Sequence, residues 1–200
     1  MKLPLVWFIL CFLSLGLAAQ NKKDSVLKTI QSEQADMIRF YLDSASTPLS
    51  KEERKSFNGI HHFPINLKYR VTATLKKFNL QDTVIFPTSS GKNKRYVKYA
   101  EATFKLNGKN HCLTLYKMAD TKRPELASHI FLPFTDLTSN NETYGGGRYI
   151  DLETTDNDSL IIDFNLCYHP YCAYSHNGWS CPIPPKENFV NTKIKAGVRF

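Results

Sequence analysis

"AEATFKLNGKNHCLTLYK", residues 100–117, folds back on itself at Asn107-Gly108. Asn-Gly supplies the positive backbone dihedrals of a two-residue type I′ turn, the tightest common link between antiparallel strands. Pairing Leu106 with Lys109 across that turn sets Phe104 opposite His111, Ala102 opposite Leu113 and Ala100 opposite Leu115. One face of the hairpin is then apolar, and Cys112 falls on the other. The same period of two appears upstream, where Tyr69, Val71, Ala73 and Leu75 alternate with Arg70, Thr72, Thr74 and Lys76, the pattern of a half-buried strand. Downstream, "RYIDLE" (148–153) and "SLIIDFN" (159–165) flank the polar "TTDND". Pairing Glu153 with Ser159 predicts a second hairpin, with Ile150 against Ile162 and with Tyr149, Asp151, Asp163 and Asn165 on the opposite face. "VIFP" (84–87), "HIFLPFTD" (129–136) and "NTKIKAGVRF" (191–200) bring the total to about eight or nine strands. The expected fold is mainly β, an antiparallel sandwich or partly closed barrel, rather than alternating βαβ units.

Helices are expected only ahead of this region. Val26, Leu27, Ile30, Ile38, Phe40 and Tyr41 recur among charges, with Asp24 or Ser25 available as an N-cap. Thr47-Pro48 interrupts that helix, and Ser50 with Glu53 forms a capping box for a short second one. The first nineteen residues carry Lys2, an apolar run over residues 3–17 and small residues at Gly16, Ala18 and Ala19, the pattern of a cleavable signal peptide. The run is shorter than the roughly 20 residues of a helical span, so no transmembrane span is expected. The organisation read from the chain is a signal peptide over 1–19, a helical segment over 20–60 and one β-rich domain over 61–200. The mature protein is expected outside the cytoplasm, periplasmic or extracellular.

The chain has 26 Lys and Arg against 18 Asp and Glu, a net charge of +8. The basic residues are dispersed and alternate with apolar ones, as on solvated strand faces. Nucleic-acid binding, which favours a concentrated basic patch on a recognisable module, is not expected.

Residues 163–185, "DFNLCYHPYCAYSHNGWSCPIPP", concentrate three cysteines, two histidines and four prolines. In an oxidising compartment a disulfide is the default, and Cys172 with Cys181 is the best pair, because the loop between them contains the turn-forming Asn177-Gly178. A metal site built from Cys167, Cys172, His176 and Cys181 lacks the paired C-x-x-C spacing of common zinc sites. No metal and no cofactor are expected. His61-His62 has no third ligand and reads as an edge pair. The glycines of "ETYGGGRYIDL" lead into a strand rather than a helix, so they indicate a tight bend or bulge and not a phosphate loop. Arg148 lies on the apolar side of the predicted register, where a guanidinium needs a carboxylate or carbonyl partner. Tyr149, Asp163 and Asn165 share the other side, where they either bind a polar ligand or fasten the loop backbone. The candidate ligand-binding residues are Arg148, Tyr149, Asp163, Asn165 and Tyr171. No catalytic residue and no reaction are assigned.

"FLPFTD", "ETYGGGRYIDL", "DFN" and "YCAYS…SCPIPPKEN", in this order, resemble the family known as domain of unknown function 1684 over residues 63–197. The resemblance implies an exported bacterial protein and supplies no activity. It covers Glu142 through Tyr144, Gly145, Gly147, Arg148, Tyr149, Asp163 through Asn165, Pro170, Cys172, Cys181 and Pro182. Where similar proteins tend to continue Arg-Ala-Tyr-Asn after "DFN", this chain has Leu166, Cys167, Tyr168 and His169, so an anion-binding arginine is missing there. The function expected is an exported domain binding a small polar ligand or a cell-envelope component. One alternative is a hydrolase using Asp163 as acid and base; another is a structural or protein-interaction module docking through the N-terminal helix or the Pro182–Pro185 tail.

Overall fold

The computed structural model describes residues 5–79, 83–119, 121 and 123–200, with side chains of the first helix described from Gln20 onward. Helix α1 (Leu5–Leu42) and helix α2 (Lys51–Ser56) precede the strands β1 (His61–His62), β2 (Arg70–Lys77), β3 (Thr83–Pro87), β4 (Asn93–Leu106) and β5 (Lys109–Met118). Then come β6 (His129–Asp136), β7 (Arg148–Glu153), β8 (Ser159–Asp163), β9 (Phe189–Val190) and β10 (Val198–Arg199). An eight-stranded sheet runs β7-β6-β5-β4-β2-β8, with β3 on β4 and β9 parallel to β6, and it curls into a half-barrel. β1 pairs with β10 in a separate two-stranded sheet.

The hairpin at Asn107-Gly108 has the register expected from its turn, Phe104 facing His111 and Ala102 facing Leu113, with both turn residues at positive φ. β4 is long enough to pair with β5 on one side and with β3 and then β2 on the other. Its register shifts between Lys98 and Ala100, and such a bulge increases local twist and helps a sheet curl. Inward residues alternate along the strands: Val71, Ala73 and Leu75, then Ala100, Ala102 and Phe104, then Leu113 and Leu115, all buried. The small alanines leave room for Phe104, Phe134 and Phe164 to meet edge-on or tilted at 5.3–5.6 Å. Each fully buried Leu, Ile or Phe contributes roughly 1.5–3 kcal/mol.

The second predicted hairpin does not form. β7 pairs with β6 and β8 with β2, at opposite ends of the sheet. Residues 154–158 nevertheless join them directly, a connection that spans at most roughly 20 Å. Six strands laid flat would set the outer two roughly 24 Å apart, so the short link itself requires a curled sheet. The loop is held from both rims: Thr154 N donates to Ser128 O at 2.8 Å, and Leu75 N to Asp158 O at 2.8 Å. The seam is bridged lower down, where Tyr149 and Tyr168 exchange backbone hydrogen bonds of 2.9 Å in both directions.

The C-terminal segment also departs from expectation. Only Val198–Arg199 of the predicted final strand pairs as a strand. Residues 190–198 instead enter the core, with Val190, Ile194, Ala196 and Val198 buried. Arg148 Nη1 donates to Ala196 O at 2.7 Å, Nη2 donates to Ile194 O at 2.9 Å, and Asp136 Oδ2 accepts from Ile194 N at 2.6 Å. Arg148 and Asp136 pair with each other at 3.2 Å with essentially no solvent exposure. Gly197, at φ +66°, lets the segment pass under Cys167, where an added Cβ would stand 2.4 Å from the sulfur.

The capping box of α2 is present, Ser50 Oγ accepting from Glu53 N and Glu53 accepting from Ser50 N. α1 runs unbroken through Asp24 and Ser25, so neither caps it. Its C-terminal part packs Ile38, Phe40 and Tyr41 against Leu49, Phe57, Tyr171, Tyr174 and Val198. Gln34 Nε2 donates to Asn165 O at 2.9 Å.

Removing Asp136 strands a buried guanidinium, so Asp136→Ala is expected to lower stability by about 3–5 kcal/mol. Urea unfolding of Asp136→Ala, Arg148→Met and the double variant is expected to show a double effect smaller than the sum of the singles. The acid side of the stability profile has a separate source. His169 Nε2 accepts from Tyr144 N at 3.1 Å and Nδ1 meets Tyr174 Oη at 2.7 Å, so the neutral ring is the one held. Burial first, and then Arg148 and His62, push its pKa down to about 3. Burial and then His61 push His62 down to about 4. Both are depressed below the unfolded value of about 6.5, so their contribution is complete above that pH and is lost as pH falls toward 3. Unfolding free energy measured between pH 7 and 4 is expected to fall with pH, and more gently in His169→Gln.

Candidate functional site

The outer side of the sheet carries a second, aromatic layer. Phe86, Tyr96, Tyr116, Phe131 and Tyr149 form one buried cluster, with Tyr96 and Phe131 stacked at 5.3 Å and Phe131 edge-on to Tyr149 at 4.8 Å. Period-two geometry puts Tyr116, Phe131 and Tyr149 there, since each is one residue out of step with an inward neighbour, Leu115, Ile130 or Ile150. Over this floor the sheet and the disulfide loop enclose an open cleft of about 520 Å³.

The loop is the cleft's other wall, and it is fastened at several points. Cys172 and Cys181 are joined as expected. Cys181 N donates to Ser89 Oγ at 3.1 Å, Ser89 N to Cys181 O at 3.0 Å, and Ser180 Oγ lies 2.8 Å from Thr88 Oγ1. Tyr149 donates its hydroxyl to Pro182 O. Glu53 of α2 accepts from His176 N at 2.7 Å and Ser175 Oγ at 3.0 Å. The backbone amides of Ser50 and His176 hold that carboxyl down to about 2. Tyr171 and Trp179 project from the stapled loop with ring centroids 4.9 Å apart.

A polar relay is part of the cleft lining. His129 Nε2 lies 2.8 Å from Asp151 Oδ1, and Tyr168 donates to Asp151 Oδ2 at 2.8 Å. The carboxylate makes Nε2 the natural donor and leaves Nδ1 as the basic nitrogen of the neutral ring. Burial above all, with Asp151 second, raises Tyr168 well above the ordinary phenol range, so it remains a hydroxyl donor. The same causes push Tyr96 up to about 12.

The five residues proposed from sequence divide into two groups. Tyr149 and Tyr171 line the cleft. Arg148 lies inside the half-barrel, bound to Asp136 and to the carbonyls of the C-terminal segment. Asp163 pairs with Arg70 at 2.7 Å through Oδ2 and accepts from Asn165 N and Nδ2 through Oδ1. Asn165 exchanges two hydrogen bonds with the backbone of Asn66. Asp163 and Asn165 are therefore tied to the protein's own chain, and the shared face with Tyr149 expected from the second hairpin is not formed. His129, Asp151, Tyr168, Trp179 and Lys94 line the cleft without having been singled out together. The one local signal for them was the alternation that sets Tyr149 and Asp151 on one face.

The glycine run forms a bend, with Gly147 N donating to Tyr144 O at 3.1 Å and Gly147 at φ +86°. A Cβ there would meet Pro184 and the Phe134 carbonyl under 3 Å away. Among the described residues no group of three or more His, Cys, Asp or Glu is placed to hold a metal ion. Among them, also, no helix is long and apolar enough to cross a membrane.

A model of the family described as "Protein of unknown function (DUF1684)" matches residues 55–199. The solution NMR structure of an uncharacterized protein of Haloarcula marismortui is similar at a TM-score of 0.70 and 33% identity, over 90% of this chain and 97% of that one. No curated protein matches.

Cys112 is exposed and Cys167 buried, and burial pushes the Cys167 thiol up to about 11. Alkylation of the folded protein is expected to label Cys112 and spare Cys167. Unfolding without reductant then exposes Cys167 alone, and peptide mass mapping that finds label on Cys172 or Cys181 would refute the staple.

Proposed function

The chain belongs to the DUF1684 family, and we propose that it is an exported binding domain whose aromatic cleft takes up a small polar, ring-containing ligand. Export is supported by the leader-like composition of residues 1–19 and by a disulfide of the kind that persists in oxidising compartments. Binding rests on one observation: aromatic walls from β4, β6, β7 and the stapled loop converge with His129, Asp151 and Tyr168 on a single cleft. Its volume of about 520 Å³ lies within the roughly 300–1,000 Å³ typical of small-molecule sites. Tyr171 and Trp179 offer flat apolar faces to a ring, while His129, Asp151 and Tyr168 offer hydrogen-bonding groups to its substituents.

The His129–Asp151 pair favours a second reading, a hydrolase. Asp163 has both carboxylate oxygens engaged, so His129, oriented by Asp151, takes the place of Asp163 as the base in this reading.

The test is a screen of ring-containing metabolites by protein-observed NMR, followed by titration of Trp179→Ala. Resonance shifts confined to the cleft and at least a tenfold weaker affinity in the variant, with its unfolding midpoint retained, are expected. A screen in which no compound moves cleft resonances would overturn the reading. Turnover of a bound ester that is lost in His129→Gln with affinity unchanged would establish the hydrolase instead.

A further inference from the structure

The cleft is electrostatically unbalanced. Lys94 lies two residues before Tyr96 on β4, hence on the same face, and stands opposite Phe86 of β3. Lys94 is half-buried in the cleft lining, and desolvation is the one resolved influence on it, pulling its pKa down. Among the described residues no carboxylate pairs with it. A second cation, Arg123, reaches the cleft from the turn before β6. Asp151 is the one carboxylate among the described residues lining the cleft, and both of its oxygens are occupied, by His129 and Tyr168. A partly desolvated cation without a partner is unfavourable, and a ligand anion would relieve it through charge-assisted hydrogen bonds.

Building on the cleft as a binding site, we propose that its ligand is an anionic ring compound, whose carboxylate or phosphate binds Lys94 with Arg123 at the rim. The ring lies on the aromatic floor beside Trp179. Lys94 stands on β4 and the His129–Asp151 pair on β6 and β7, with β5 between them, and this separation gives such a ligand a fixed orientation: the anion goes to Lys94, and hydrogen-bond donors or acceptors on the ring face His129.

Isothermal titration of the full chain with 1-naphthoate, 1-naphthyl phosphate and uncharged 1-naphthol separates the contributions of charge and ring. At least one anion is expected to bind ten or more times tighter than 1-naphthol, and whichever of the two binds tighter identifies the carboxylate or phosphate class. Lys94→Met keeps the aliphatic stem, so it is expected to remove the preference for the anion while leaving 1-naphthol affinity unchanged. Equal affinity for the three probes, or a preference that survives in both Lys94→Met and Arg123→Gln, would overturn the anionic ligand while the cleft stands. If none of the three binds, this inference falls, and the metabolite screen decides separately whether the cleft reading falls with it.

Discussion

Backbone that leaves a sheet and enters a core must find partners for its amides and carbonyls, and in this protein one buried ion pair supplies the central ones. Residues 191–197, between β9 and β10, run through the half-barrel without a ladder of their own. The Arg148 guanidinium reaches the carbonyls of Ile194 and Ala196, and Asp136 receives the Ile194 amide. Guanidinium and carboxylate each present several directed groups, so two side chains do the work of a missing strand. A hydrophobic pair of the same volume would pack as well and would leave those backbone groups unsatisfied. Asn188 acts similarly where β5 and β6 splay apart: its side chain joins Thr114 N and O to Pro133 O.

The division of labour between the two sheet faces explains why a cleft exists at all. Inside, aliphatic residues, small alanines and three phenylalanines close-pack. Outside, tyrosines and phenylalanines bring flat surfaces and hydroxyls, and a loop rather than a second sheet covers them. A loop covers a surface less completely than a sheet does, so space remains between Tyr171, Trp179 and the aromatic floor. The disulfide, the Glu53 clamp and the Tyr149 hydroxyl fix the loop as a wall. The cleft is thus preformed, and a preformed wall needs little ordering to meet a ligand.

What could be read in advance was what depends on near neighbours. Asn107-Gly108 determines its own turn, and the alternation on either side of it sets the register, so the 100–117 hairpin was legible residue by residue. The Ser50–Glu53 box and the Cys172–Cys181 pair are local in the same sense. The link between β7 and β8 looked equally local, yet those strands face each other across the seam and take partners elsewhere, a choice made by β6 and β2 rather than by the loop. That difference carried over to the site. Tyr149 was identified from its own strand, whereas its companions arrive from β4, β6 and the bridge at Tyr168, and no spacing in the chain records the diagonal contact of His129 with Asp151. Arg148 was recognised as needing a partner, but Asp136 lies on another strand and the carbonyls it serves lie near the C-terminus.

The placement of residues 190–198 also bears on the order of events during synthesis. The segment that fills the barrel is made after every long strand, and so is Tyr168, which bridges the seam. The β4–β5 hairpin can close from its own residues, but the core is incomplete until residues 190–198 are available. Late closure of this kind makes folding dependent on contacts of large sequence separation. It also leaves Arg148 and Asp136 without the backbone groups they hold for as long as residues 190–198 are still to be made.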